Sequence, residues 1–177
     1  MLASIAWLKR YVDIDVTPEE LADKLTRVGL EVESVIHQGQ GISGVVTGKV
    51  TAIEKNPKSD HLWVCQMDYD SGEIVQIQTG AQNVKLGDIV PVATQGAELP
   101  NGMKLKKVKM ADVYSYGMLC SAAELGIDNK LLLPEQREGI LILSPDTPIG
   151  KDIKEVLGLN DTVLDIDLTA NKQDCYD

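Results

Sequence analysis

The chain has 177 residues, 44% of them hydrophobic and only 4% aromatic, and a formal net charge of −10. There is apolar material for a core, but with no Phe it must be packed from Val, Ile and Leu. The acidic balance argues against DNA or any indiscriminate phosphate-backbone binding, and no apolar run approaches the roughly 20 residues that cross a membrane.

The opening MLASIAWLKRYVDID lacks a basic start and soon turns acidic, so it does not read as a signal peptide. Apolar residues at helical spacing in SIAWLKRYV predict a short helix. TPEELADKLTRVG predicts a second: Thr17 is its N-cap, Pro18 its first residue, and Glu20 completes a capping box. Leu21, Leu25 and Val28 form one face, Gly29 ends the helix, and LEVESVI follows as a strand.

HQGQGISG reads as a linker. Beyond it VVTGKVTAIEK, HLWVCQMDYD, EIVQIQT and DIVPVAT are short β-rich runs separated by the turn signals NPKSD, DSG and GAQNVKLG. This spacing predicts a small sandwich or barrel that continues to about residue 150 and closes with EGILILSPDTPIG. KDIKEVLG is then a short helix ended by Gly158. TVLDIDL alternates, with Leu164, Ile166 and Leu168 on one side and Asp165 and Asp167 on the other, as a half-exposed strand does.

The flanks 1–39 and 151–177 both read as α/β and both are acidic, while the middle carries 10 basic against 13 acidic residues. The expected class is α+β: a β-rich middle, 40–150, inserted into a domain split between 1–39 and 151–177. The flanks are marginal for independent folding and the chain stops at NKQDCYD, so a piece of a longer protein is expected.

Cys65, Cys120 and Cys175 lie far apart without a CxxC, which suits reduced thiols in a cytosolic protein rather than a metal site. In SYGMLCSAAELGI, Cys120 is either a nucleophile or a small buried residue. A nucleophile needs a base, and neither His37 nor His61 has a motif linking it to Cys120. Ser121 and Glu124 instead form a second capping box, so Ser121 is read as the cap of a helix AAELG. The N-terminus of that helix could face an anion, with Met118 and Tyr116 either against a base or sugar or in the core.

KLKKVKM places Lys104, Lys106, Lys107 and Lys109 within six residues. If extended, Lys104 and Lys106 point one way and Lys107 and Lys109 the other. The run is either an edge-strand guard or a phosphate contact, and Lys55 and Lys58 could extend it. Asn83 in GAQNV either braces its turn or reads a base edge. Asp60 is expected to pin the NPKSDHL turn, with His61 beside it in the loop. No GxxxxGK[ST] loop and no GxGxxG after a strand occurs, so no nucleotide-hydrolysing core is expected.

NPKSDHLWVC, TGAQNVKLGDIVPVA, ELPNGMKLKKVKM and SYGMLCSAAELGI, in that order, resemble the tRNA-binding OB domain of several synthetases and free-standing tRNA-binding proteins. With its flanks, the whole chain resembles the N-terminal part of the bacterial phenylalanyl-tRNA synthetase beta-subunit family. The resemblance implies an OB fold over about 40–150, inserted into a split α/β domain. Its tRNA contacts would come from Lys55, Lys58, His61, Asn83, Lys104, Lys106, Lys107, Lys109, Met118 and Ser121. It implies a cytoplasmic (αβ)₂ heterotetramer in which the alpha subunit makes Phe-tRNA with ATP and Mg²⁺, and in which the editing site lies later in the beta chain. This segment would then be non-catalytic, hold neither ATP nor metal, and assist tRNA docking. The alternatives are a free-standing tRNA-binding or chaperone module, or an assembly region that has lost RNA binding. Two positions depart from the family pattern: His61 stands where a lysine is common, and Lys172-Gln173 where Arg-Pro is usual.

Overall fold

A computed structural model describes residues 1–127, 132 and 134–168. The chain forms two compact units: Met1–Gln40 together with the described residues from Gly158 onward, and Gly41–Leu157.

In the first unit, β1 (Leu2–Ser4) and β2 (Glu31–His37) flank β10 (Thr162–Asp167) in a three-stranded antiparallel sheet. Helix α1 (Ile5–Leu8) is one turn long, capped by Ser4 Oγ, which accepts from Trp7 N at 3.0 Å. Helix α2 (Pro18–Arg27) carries the expected capping box: Glu20 N donates to Thr17 Oγ1 at 3.2 Å and Thr17 N to Glu20 Oε2 at 3.1 Å. It ends where Gly29 takes a φ of +92°, with Gly29 N bonded to Thr26 O at 3.1 Å and Leu30 N to Leu25 O at 2.9 Å. This double closure needs a left-handed residue, which glycine supplies without strain. Leu21, Ala22 and Leu25 pack on the buried Ala3, Leu164 and Ile166. The alternation of TVLDIDL therefore put the right residues inside.

The second unit is built on five antiparallel strands: β3 (Ser43–Lys55), β4 (Trp63–Asp68), β5 (Val75–Thr79), β6 (Ile89–Glu98) and β9 (Gly117–Leu119), in the order β5-β4-β3-β6-β9. The long β3 bends at register shifts near Gly44 and Thr51, as bulges allow. Tyr116 N bonds Gln76 O at 3.0 Å, bringing the β9 end of the sheet back to β5 and nearly closing a barrel. Val50, Met67, Ile77, Val90 and Val92 fill the interior, with Cys65 fully buried among them. Gly117 permits the close pairing of β9 with β6, since a Cβ there would lie 2.5 Å from Ala93 O. A two-stranded hairpin, β7 (Val108–Met110) and β8 (Val113–Ser115), stands beside β5. Its turn residues Ala111 and Asp112 have φ of +44° and +65°, the geometry of a tight two-residue hairpin turn. Helix α3 (Ile153–Val156) follows an irregular return, in which the expected EGILILSPDTPIG strand is reduced to a single bridge between Ile89 and Leu143.

Two local expectations are corrected. The capping box at Ser121 forms: Ser121 N donates to Glu124 Oε2 at 2.7 Å and Glu124 N to Ser121 Oγ at 3.3 Å. Yet residues 122–126 make only successive turns, because Gly126 enters the left-handed region at φ +69° before a helix can extend. The lysine run is likewise not one extended strand. Lys104 bridges to Glu98, and regular pairing resumes only at Val108, so residues 105–107 interrupt the strand.

Candidate nucleic-acid interface

A chain of side-chain amides fixes the loop 56–62 and the β7–β8 hairpin to the barrel. Asn56 and Gln78, each 3% exposed, are its centre. Asn56 Oδ1 accepts from Lys58 N at 2.8 Å, shaping the turn, and Asn56 Nδ2 donates to Gln78 Oε1 at 2.9 Å. Gln78 Nε2 donates to Met110 O at 3.0 Å and Val113 O at 2.7 Å, spanning both hairpin strands. Ser115 Oγ accepts from Gln78 N at 2.9 Å, and Gln76 Nε2 donates to Tyr114 O at 2.8 Å. Burying these polar groups is tolerable because they satisfy one another. Asn56, not Asp60, pins the NPKSDHL turn; Asp60 is exposed and lies 3.7 Å from Lys55 Nζ.

The hairpin so fixed displays cations and aromatic rings. Lys107 Nζ sits 4.0 Å from the Tyr114 ring centre and 4.7 Å from that of Tyr116, and Lys109 Nζ lies 5.7 Å from Tyr114. The rings are 6.4 Å apart, and Tyr114 and Tyr116 are 44% and 38% exposed. Exposed rings beside ammonium groups offer both stacking and charge to a nucleic acid. Tyr114 is the residue that sequence reasoning passed over. Its place opposite Lys109 across the KMADVY turn was the available signal.

Asp112, at the hairpin tip, ion-pairs with Lys58 across from the loop and with Lys109 at 3.2 Å. The Lys58 hydrogen bond, then that of Lys109, holds its carboxyl below the ordinary carboxylate range. Lys104 Nζ is 2.6 Å from Glu98, whose hydrogen bond and charge push its ammonium pKa up. Four of the six candidate lysines are thus matched to carboxylates. Lys107 lies against rings, and Lys106 has no ion-pair partner among the described residues. His61 is exposed, its backbone N 3.4 Å from Ser59 Oγ.

Met118 and Ser121 come together in a groove of about 470 Å³ with Gln78, Gly80, Met110 and Ile140. Asn83 braces its wall: Nδ2 donates to Ile140 O at 2.8 Å and Oδ1 accepts from Ile140 N at 3.0 Å. The amide is therefore engaged at both ends by backbone, as the bracing role requires. Cys120 is fully buried; burial, reinforced by the Glu124 charge, pushes its thiol up to about 12. That is the opposite of an activated nucleophile. Cys175 and Lys172-Gln173 lie outside the described residues.

Residues 45–152 match the family described as "Putative tRNA binding domain". Over 175 residues, 99% of this chain, the sequence is 48% identical to the phenylalanine–tRNA ligase beta subunit of Clostridium acetobutylicum, of which it covers 22%. The corresponding subunit of Moorella thermoacetica is 49% identical over 169 residues, 96% of this chain and 21% of that one. The chain spans about a fifth of the length of the curated relatives it matches. Among solved structures, a MetRS related protein from Pyrococcus horikoshii aligns with a TM-score of 0.42 at 21% identity, over 60% of this chain and 84% of that one.

Proposed function

The chain belongs to the tRNA-binding domain family, and from that premise we propose that it is the tRNA-docking segment of a phenylalanine–tRNA ligase beta subunit. The observation that carries the docking role is the hairpin. Lys107, Tyr114 and Tyr116 present charge and stacking surface together, on a support made rigid by Gln76 and Gln78. The strand order supports reading the barrel as an OB fold, in which such loops and strands meet oligonucleotides. The discontinuous first unit supports a split α/β domain holding the barrel as an insert, with segments 1–39, 40–150 and 151–177. Lys55, Lys58, His61, Lys104, Lys106, Lys107, Lys109, Met118 and Ser121 would contribute contacts, and Asn83 would shape the groove from behind.

This reading brings with it an alpha-subunit partner in an (αβ)₂ assembly and a cytoplasmic setting. ATP and Mg²⁺ belong to the whole enzyme. Among the described residues no group of three or more His, Cys, Asp or Glu is arranged to hold a metal ion.

One observation favours an assembly role instead: most of the candidate lysines are already neutralised by acids. Titration of the chain with tRNA at two salt concentrations decides between the two. A variant with Lys104, Lys106, Lys107 and Lys109 changed to Ala is run alongside. Docking predicts salt-sensitive binding that the variant loses, because each phosphate contact contributes a salt-dependent increment. No binding at low salt would leave assembly as the role.

A further inference from the structure

We propose that Lys58 and Lys109 form a site for one phosphodiester group of a nucleic-acid backbone, and that the Asp112 carboxylate occupies this site in the free chain. The inference rests on the docking function and adds to it a named contact and its internal competitor.

The geometry is that of a two-oxygen anion held between two ammonium groups. Asp112 Oδ2 contacts Lys58 Nζ and Asp112 Oδ1 contacts Lys109 Nζ, one cation to each oxygen. The two non-bridging oxygens of a phosphodiester ask for the same arrangement. The lysines come from different segments, one from the loop 56–62 and one from β7, so their meeting is a product of the fold.

What brings them together is not Asp112 alone. The backbone of Lys58 is bonded to Asn56, Asn56 to Gln78, and Gln78 to both strands of the hairpin that carries Lys109. The bases of the two lysines therefore stay in place when the carboxylate charge is removed. The charged ends are accessible, with Lys58, Lys109 and Asp112 side chains 63%, 49% and 58% exposed. Ion pairs this exposed are screened and readily exchanged, so an incoming phosphate can take the place of the carboxylate.

The position of the acid is informative. Tight hairpin turns with two left-handed residues favour Asn and Gly. Here they are Ala111 and Asp112, and the chain places a carboxylate where an uncharged turn residue would serve the backbone as well. Asp112 thus offsets the repulsion between the two lysines in the free state, at the cost of competing with the ligand.

The test is D112N, which keeps a residue tolerant of the left-handed turn and removes only the charge. The chain, D112N, and D112N combined with K58A are titrated with tRNA across a range of salt, with unfolding midpoints measured to verify folding. The expected result is tighter binding by D112N, roughly fivefold at low salt, with a salt slope steeper by about 1 to 2 as two lysines become available to phosphate. Adding K58A should remove about half of that extra slope. Binding by the chain with no gain, or a loss, in D112N would overturn the inference while leaving the docking function standing. Failure of the chain and D112N alike to bind at low salt would overturn both.

Discussion

The side-chain amide of Asn56 donates to Gln78 Oε1 at 2.9 Å, and this buried contact joins the loop carrying Lys58 to the hairpin carrying Lys109. Gln78→Ala would orphan the Asn56 donor and release the Met110 and Val113 carbonyls. A loss of about 2–3 kcal/mol in folding stability is expected, measured by denaturant unfolding. Asn56→Ala in the same background should cost much less than it does alone, because the pair acts as one unit.

Close packing against β6 depends on missing side chains. A Cβ at Gly117 would meet Ala93 O at 2.5 Å, and one at Gly48 would meet Val92 Cγ2 at 2.7 Å. Backbone cannot yield as a methyl can. Gly117→Ala is therefore expected to destabilise the chain by about 1–3 kcal/mol, and to do so more than Gly48→Ala. Thermal midpoints of the two variants provide the comparison.

The thiols give a chemical readout of packing. Burial raises Cys65 to about 11 and, with the Glu124 charge, Cys120 to about 12. Thiolate is scarce at neutral pH, and both residues are buried. In a chain with Cys175 changed to Ser, thiol reagents should label neither residue until the fold opens. Cys120→Ala should leave tRNA affinity unchanged; loss of binding by a folded Cys120→Ala variant would restore a functional role to the thiol.

The Asp112 tether should fail in acid. Its carboxyl is lowered on folding from the ordinary 3.8, so the folded chain binds fewer protons than the unfolded one. Its contribution is fully present above 3.8 and is lost as pH falls through the lower folded value. Glu19, lowered from 4.5 by its backbone hydrogen bond and then by His37, follows the same sign in the first unit. The chain and D112N should differ in unfolding midpoint by a constant amount near neutrality, and that difference should shrink below about pH 4.

What could be read from the sequence was what neighbours in the chain decide. Thr17, Glu20 and Gly29 bracket α2 because caps act over three or four residues. Leu164 and Ile166 announce the buried side of β10 by alternation. The Ser121–Glu124 box was also read correctly, but a cap says nothing of helix length, and Gly126 ended the segment within a turn. Among the candidate contacts, the lysines were visible as a run, while their partners Glu98 and Asp112 were set by pairing at a distance. Asn56, Gln78 and Ser115 escaped because their bonds join residues 22 and 37 positions apart. The one local hint was QIQ in β5, where two glutamines flank the buried Ile77 on the opposite side of the strand.

The most direct test of the docking claim is to follow backbone amide NMR signals of the chain while tRNA is added at low salt. The account predicts shifts concentrated in residues 56–62 and 104–118, with Lys107, Tyr114 and Tyr116 among the largest, and their reversal on adding salt. Shifts confined to the first unit, or none at all, would contradict it.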